Sequence, residues 1–198
     1  MWSPTILTED FNIVVKAKHI PFVVLVDDSL YNFSASHNTL GLFPKKHDDP
    51  IKLSFFAKRY ISKMLSHIPS YDGEGNGISL HGISVLTEAV ASSPAFVKRM
   101  VLDWDKTLTL FSSFKTTIVN KYTVQYYFGG YKRMRALRKL FRVLKVWNID
   151  TCILTNNSRA KREPDSFTKA LSFIGASWVE IIHTSDTKMS YMKKKQWI

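Results

Sequence analysis

Cysteine is almost missing from this chain. Cys152 is the only one in 198 residues, so no intrachain disulfide forms and a packed core must hold the fold. That usage fits a reducing compartment, and an intracellular location, cytoplasmic or nuclear, is expected. Long apolar runs are missing too. No stretch approaches the roughly 20 residues of a membrane span. The N-terminus lacks the basic-then-apolar layout of a secretory signal, so no membrane partner is expected. The six histidines show no ligand spacing, which argues against zinc. No internal repeat and no low-complexity linker appears. Acids are few beside bases: 16 Asp and Glu against 28 Lys and Arg leave a formal charge of +12 and a pI near 9.8. Such an excess attracts polyanions. Nucleic acid or another phosphate-rich partner is one reading; a basic protein that merely resists self-association is the other. With 45% hydrophobic and 22% charged residues, the chain reads as globular, and 1–198 as one α/β domain.

What is present is a series of short apolar runs alternating with amphipathic stretches. Residues 1–19 are mixed. Pro21-Phe-Val-Val-Leu-Val-Asp27-Asp28 is a buried-strand pattern ending in two acids. A short helix is expected from Ser29 to about Asn38, then a turn-like segment over 41–50. Helical spacing of Ile51, Phe55, Phe56, Tyr60, Ile61, Met64 and Leu65 suggests a helix over 51–68. A glycine-rich loop over 69–77 and a helix over 84–91 follow. A strand is expected over 96–102, a less regular insert over 107–130 and a helix over 131–147. In that last helix Met134, Ala136, Leu137, Leu140, Phe141, Val143, Leu144 and Trp147 share one half of the wheel, and Lys132, Arg135, Arg138, Lys139, Arg142 and Lys145 crowd the other. A strand over 149–154, a helix from Glu163 or Pro164 to Ile174 stopped by Gly175, a strand over 178–183 and a basic helix over 189–198 complete the chain. Strands alternating with helices argue for a parallel sheet covered on both faces.

The most informative stretch is Met100-Val-Leu-Asp103-Trp104-Asp105-Lys106-Thr107-Leu-Thr109. An apolar strand there delivers two carboxylates two residues apart. In an extended strand, residues i and i+2 point the same way, so both acids are expected to face one pocket. An acid pair of this kind can divide its work, one attacking or holding a metal and the other moving protons. The structural alternative is a strand end followed by an Asp-rich turn.

This segment resembles the Asp-x-Asp-x-Thr signature of the haloacid dehalogenase-like (HAD) phosphohydrolases. The resemblance implies Asp103 as nucleophile, Asp105 as general acid and then base, and Thr107 as a brace of the loop near the phosphate. It also implies a strand ending in a phosphate-binding hydroxyl, which Thr151-Cys-Ile-Leu-Thr155 matches, with Asn156 following. It implies a lysine beyond the next strand, which Lys188 matches. Finally it implies a strand ending in acids that complete a Mg²⁺ site. Only ten residues follow Lys188, and none of them suits. Val23 to Asp28, with Ser29 and Asn32 beyond, matches that pattern closely but comes first instead of last, and leads to Leu40-Gly41-Leu42 like the family's helix-then-glycine turn. The expected architecture is therefore a three-layer, Rossmann-like HAD fold with a central parallel sheet, circularly permuted. Residues 20–42 supply the metal-binding strand and helix, 43–95 a linker or insert, and 96–190 the other three motifs.

Permutation carries a geometric expectation. The strand ending at Asp28 should lie beside the strand ending at Asp103, with the Thr155 strand on the other side. Mg²⁺ would take oxygens from Asp103, Asp27 or Asp28, and the Asp105 backbone carbonyl. The short insert resembles capless family members, which accept large substrates. With the positive charge, this implies a phosphorylated macromolecule, either a nucleic-acid end or a phosphoprotein. Asp-Trp-Asp-x-Thr-Leu-Thr also resembles versions found in large DNA viruses. The alternative is a catalytically silent module, structural or nucleic-acid-binding, in a larger assembly. Asp48-Asp49 and the Asp72 to Gly77 segment read as a solvated turn and a plain loop.

Overall fold

The computed structural model describes residues 5–7, 22–29, 32, 39–43, 54–56, 59, 77–92, 94–111 and 119–198. Among the described residues six strands form one sheet: β1 (Thr5–Leu7), β2 (Phe22–Val26), β3 (Thr39–Phe43), β4 (Val97–Leu102), β5 (Asp150–Thr155) and β6 (Glu180–His183). Their spatial order is β1-β3-β2-β4-β5-β6, and every neighbouring pair is parallel. The helices lying wholly within the described residues are α1 (Leu80–Ser92), α2 (Lys121–Tyr127), α3 (Gly130–Val146), α4 (Ser158–Arg162), α5 (Pro164–Ser172) and α6 (Lys188–Lys194).

Helices lie against both faces of the sheet. Side chains alternate along each strand, and the two alternating sets enter two different cores. Val24, Val26, Met100, Leu102 and Ile153 join one core with residues of α1, α3 and α5. Val23, Leu25, Val101, Cys152 and Leu154 join the other with Met189 and Met192 of α6. Burial on both sides explains why these strands read as unbroken apolar runs. The result is an α/β layered fold with a parallel central sheet.

The side on which successive strands are added reverses between β2 and β4, although the strands themselves are parallel. From β2 the chain steps outward to β3; from β4 it steps the opposite way through β5 to β6. The carboxyl ends of two strands whose connections diverge leave a crevice, the ordinary ligand site of open parallel sheets. Here the crevice lies where Asp27 and Asp103 end their strands.

Several expectations need correction. The turn-like segment expected from Gly41 begins inside β3, because β1 and β2 supply ladder partners on both sides: Gly41 is in register with both Thr5 and Leu25. Residues 1–19, read as mixed, contain β1. The helix around residues 84–91 is longer, Leu80–Ser92. The helix from residue 163 is preceded by a separate one, Ser158–Arg162. Glu163 at φ −138°, ψ 53° interrupts them, and Pro164 opens the second. Trp147 does not share the buried half of α3 but is 50% exposed, since it sits at the C-cap, where the helical wheel no longer holds. The last helix stops at Lys194, and Gln196 at φ 56° turns Trp197 back under Arg99, whose guanidinium lies 3.9 Å from the ring centre. Most of the helix expected over 29–38, apart from Ser29 and Asn32, most of that over 51–68, the loop over 69–76 and Asp48-Asp49 lie outside the described residues. Of the 51–68 pattern, Phe55 and Phe56 are 71% and 65% exposed.

Candidate active site

Asp27 ends β2 fully buried, and its carboxylate is saturated. Oδ1 accepts from the Ser29 N–H at 2.8 Å, and the Asn32 amide donates to both oxygens at 3.1 Å. The Lys188 ammonium donates to Oδ2 at 2.5 Å. Asn32 also accepts the Lys188 backbone N–H at 3.2 Å through its Oδ1, so one amide holds the acid and the first residue of α6 together. Lys188 bridges onward to Asp103 Oδ1 at 2.8 Å. A buried ion triad of this kind is tolerable only because each charge has partners.

Asp103 continues the β4 ladder by one bond, its N–H donating to the Val26 carbonyl at 2.9 Å. Beyond it the strand stops. Trp104–Leu108 forms one wide turn, closed by Thr109 N–H to the Trp104 carbonyl at 2.9 Å, five residues apart, as in a π-turn. The turn needs Lys106 at φ 54°, a costly backbone for a side-chain-bearing residue. Asp103 and Asp105 therefore face one cavity for a reason other than strand alternation. Trp104 is fully buried between them, against Phe128 and Phe167 at 5.8 and 4.7 Å, and that anchor turns both carboxylates the opposite way.

The turn is clasped from beneath by Arg133, a residue the sequence analysis did not single out. Its guanidinium is buried and donates to the carbonyls of Ile78, Thr107, Leu108 and Phe128 at 2.6 to 3.1 Å. Burial pulls its pKa down to about 9, which still leaves it charged at neutral pH. Gly129 at φ 77° admits this packing, since a Cβ there would meet Leu110 at 2.9 Å. The only sequence signal was a cation on the apolar side of an amphipathic helix.

A cavity of about 750 Å³ opens at this sheet edge. Its wall includes Asp28, Asp103, Asp105, Lys106, Thr155 and Lys188. Asp105 Oδ2 accepts from the Asn157 amide at 3.0 Å, while its buried Oδ1 has no partner among the described residues. Thr155 Oγ accepts from the Asn157 N–H at 3.1 Å, which leaves its O–H proton available. Asn156 lines the cavity, but its amide is spent on the carbonyls of Thr184 and Asp186 at 2.7 and 3.0 Å, tying the β5 and β6 loops together. Thr107, expected near the phosphate, is fully buried and is not in the cavity wall. Its carbonyl braces the turn through Ile78 N–H at 3.0 Å and Arg133, and its hydroxyl has no partner among the described residues.

Electrostatics concentrate here. Burial, and then Asp27, push the Asp103 carboxyl well up against the pull of Lys188. Burial also raises Asp28, helped by Asp27. Asp105 is pushed up to about 6 by burial, against the Asn157 hydrogen bond and Lys188. For Lys188, burial pulls down, but Asp103 and Asp27 outweigh it and the pKa rises. Four carboxylates thus face one buried ammonium. One oxygen from each of Asp27, Asp28 and Asp103 lies within 4.8 Å of the others. An all-oxygen donor set suits a hard divalent cation. Asp27 is hydrogen-bonded by Ser29, Asn32 and Lys188, while Asp28 and Asp103 line the cavity.

These features define an α/β protein with a buried Asp/Lys constellation at the crevice of a parallel sheet. No protein-family model matches the chain, and no curated protein or solved structure is found similar to it.

Proposed function

We propose that this protein is a Mg²⁺-dependent phosphohydrolase of the HAD type, circularly permuted, working through an aspartyl-phosphate. The carrying observation is that Lys188 bridges Asp27 and Asp103, residues far apart in sequence, beside an Asp105 held by Asn157. Support for the permuted order comes from β2 lying beside β4, with β5 on the other flank.

Asp103 attacks phosphorus through Oδ2, since Oδ1 holds Lys188. As the Asp103–phosphorus bond forms and the ester P–O bond breaks, Asp105 gives its proton to the leaving oxygen. A pKa near 6 keeps part of Asp105 protonated around neutrality. Water then attacks the acyl phosphate, its proton returns to Asp105, and the Asp103–phosphorus bond breaks. Lys188 offsets charge on the nucleophile and on the transferring group, and the Thr155 hydroxyl donates to a phosphoryl oxygen. Asp28 and Asp103 would hold Mg²⁺, which supplies charge neutralisation of the phosphoryl oxygens. The cavity exceeds what a phosphoryl group needs, which favours a phosphate on a large molecule.

The test is hydrolysis of a generic aryl phosphate with Mg²⁺ and with EDTA. Wild-type turnover that needs Mg²⁺ and vanishes in Asp103→Asn is the expected result. Equal, negligible rates in both proteins point instead to a silent structural or binding module.

A further inference from the structure

We infer that the outer face of α3 is a docking surface for the sugar-phosphate backbone of a nucleic acid, a surface separate from the cavity. The inference does not depend on the phosphatase reading. Six exposed cations line this helix: Lys132, Arg135, Arg138, Lys139, Arg142 and Lys145. No acid occurs anywhere in Gly130–Val146. Among the described residues, no carboxylate lies within ion-pair distance of any of the six. Arg138 uses its guanidinium on the Phe173 carbonyl; the others are uncommitted among the described residues.

This arrangement works against the helix that carries it. Like charges three and four residues apart repel by a few tenths of a kcal/mol per pair. Lys132 also sits in the first turn, where the helix dipole disfavours cations. Solubility alone is served as well by mixed charges. A polyanion bound along the face would reverse the sign of these terms.

The chemistry of the partner follows from what the face lacks. The apolar side of α3 is already spent: Met134, Leu137, Leu140, Phe141 and Leu144 are buried in the core. The helix thus has no free face to sink into lipid, as an interfacial helix needs. A protein interface has an apolar centre depleted of charge, whereas here the centre is all cation. Phosphate backbones demand a run of cations and nothing else. From Lys132 to Lys145 the face spans about 20 Å at 1.5 Å per residue. Tyr131, 57% exposed, lies on the same face as Arg135, Arg138 and Arg142, within about 80° on the wheel, and offers a ring on which a base can stack. Arg133 ties the first turn of α3 to the loop bearing Asp105 and Lys106.

The experiment is fluorescence anisotropy of a labelled 20-nucleotide single-stranded DNA across a salt series. Wild type should bind saturably at 0.1 M salt. The variant R135Q/K139Q/R142Q/K145Q should bind about 30-fold more weakly, with a log K against log salt slope flatter by about 3, as expected for four lost phosphate contacts. Y131A should weaken binding about 10-fold without changing that slope. A control removing four other exposed charges, K161Q/R162Q/K193Q/K195Q, should change affinity less than 3-fold. The R135Q/R142Q double variant, about 5-fold weaker, serves if circular dichroism shows that the quadruple variant loses its helix. Absence of wild-type binding overturns the proposal. So does equal loss in the control set, or competition by polyglutamate as strong as that by unlabelled DNA. Aryl phosphate turnover, measured alongside, should be the same in all of these proteins. If even wild type shows none, the phosphatase reading fails while the binding result stands.

Discussion

Two strands of this sheet end alike in sequence and unlike in chemistry. β2 delivers Asp27-Asp28 and β4 delivers Asp103-Trp-Asp105. After β2 the first acid is locked by its own loop, through the Ser29 N–H and the Asn32 amide, and by Lys188. It has no wall on the cavity; Asp28 takes that place. After β4 the first acid shares only Lys188 by side-chain bridging and does face the cavity. The difference teaches that an acid at a strand end is locked into the fold or left facing a cavity according to how many donors its following turn supplies. The β2 turn bonds back on its acid. The β4 turn gives Asp103 the Trp104 N–H, bonds otherwise to itself and to Arg133, and leaves Asp103 and Asp105 in the cavity wall.

The largest effect that would break this contrast is at the two first acids. Asp103→Asn should reduce Mg²⁺-dependent turnover at least about 10³-fold, whereas Asp27→Asn should lose about 10²-fold while keeping the Mg²⁺ requirement. Equal losses, with both variants folded by circular dichroism, would erase the assigned difference. Next, Lys188→Met strands two buried carboxylates and should cost about 3–5 kcal/mol of stability by urea titration. The double variant Lys188→Met/Asp27→Asn should recover part of that.

A subtler change sharpens the β4 side. The Asn157 amide favours the Asp105 carboxylate over its acid. Asn157→Ala should therefore raise the Asp105 pKa, move the descending alkaline limb of kcat/KM to higher pH, and lower the maximum about 10-fold. An unmoved limb would mean that Asp105 is not the acid. The smallest effect concerns the metal-free protein. Asp28, Asp103 and Asp105 have raised folded pKa values, so their contribution to stability is present at low pH and is lost as pH rises through those values, near 6 for Asp105. Without a divalent cation, Tm should fall by a few degrees between pH 5 and 8. Millimolar Mg²⁺ should recover most of that loss. A flat profile would imply that the acids are not mutually strained.

The sequence revealed the strands that carry chemistry because they are buried on both sides: VVLV, MVL and CIL leave no other assignment. The adjacency of Asp27, Asp103 and Lys188 was legible through the order of motifs that the resemblance implies, not through local physics. What was not legible had nonlocal causes. β3 depends on ladder partners that TLGLF does not announce. The turn at Trp104 looked like a strand continuing through Asp105, because alternation and a wide helical turn both separate two acids by one residue; burial of the indole decides between them. Arg133 and Asn157 act through carbonyls and carboxylates more than twenty residues away in sequence, and no spacing rule reaches that far.

Cys152 lies in the centre of β5, and burial pushes its thiol up to about 12. As the lone sulfhydryl, shielded between strands, it is a native clock for breathing of the sheet. Maleimide or iodoacetamide can reach it only when β5 parts from its cover, so alkylation tracks opening events and not surface chemistry. Slower labelling on adding a divalent cation or an oligonucleotide would register ligand-induced tightening in a single mass measurement, without a reporter dye or an engineered tag.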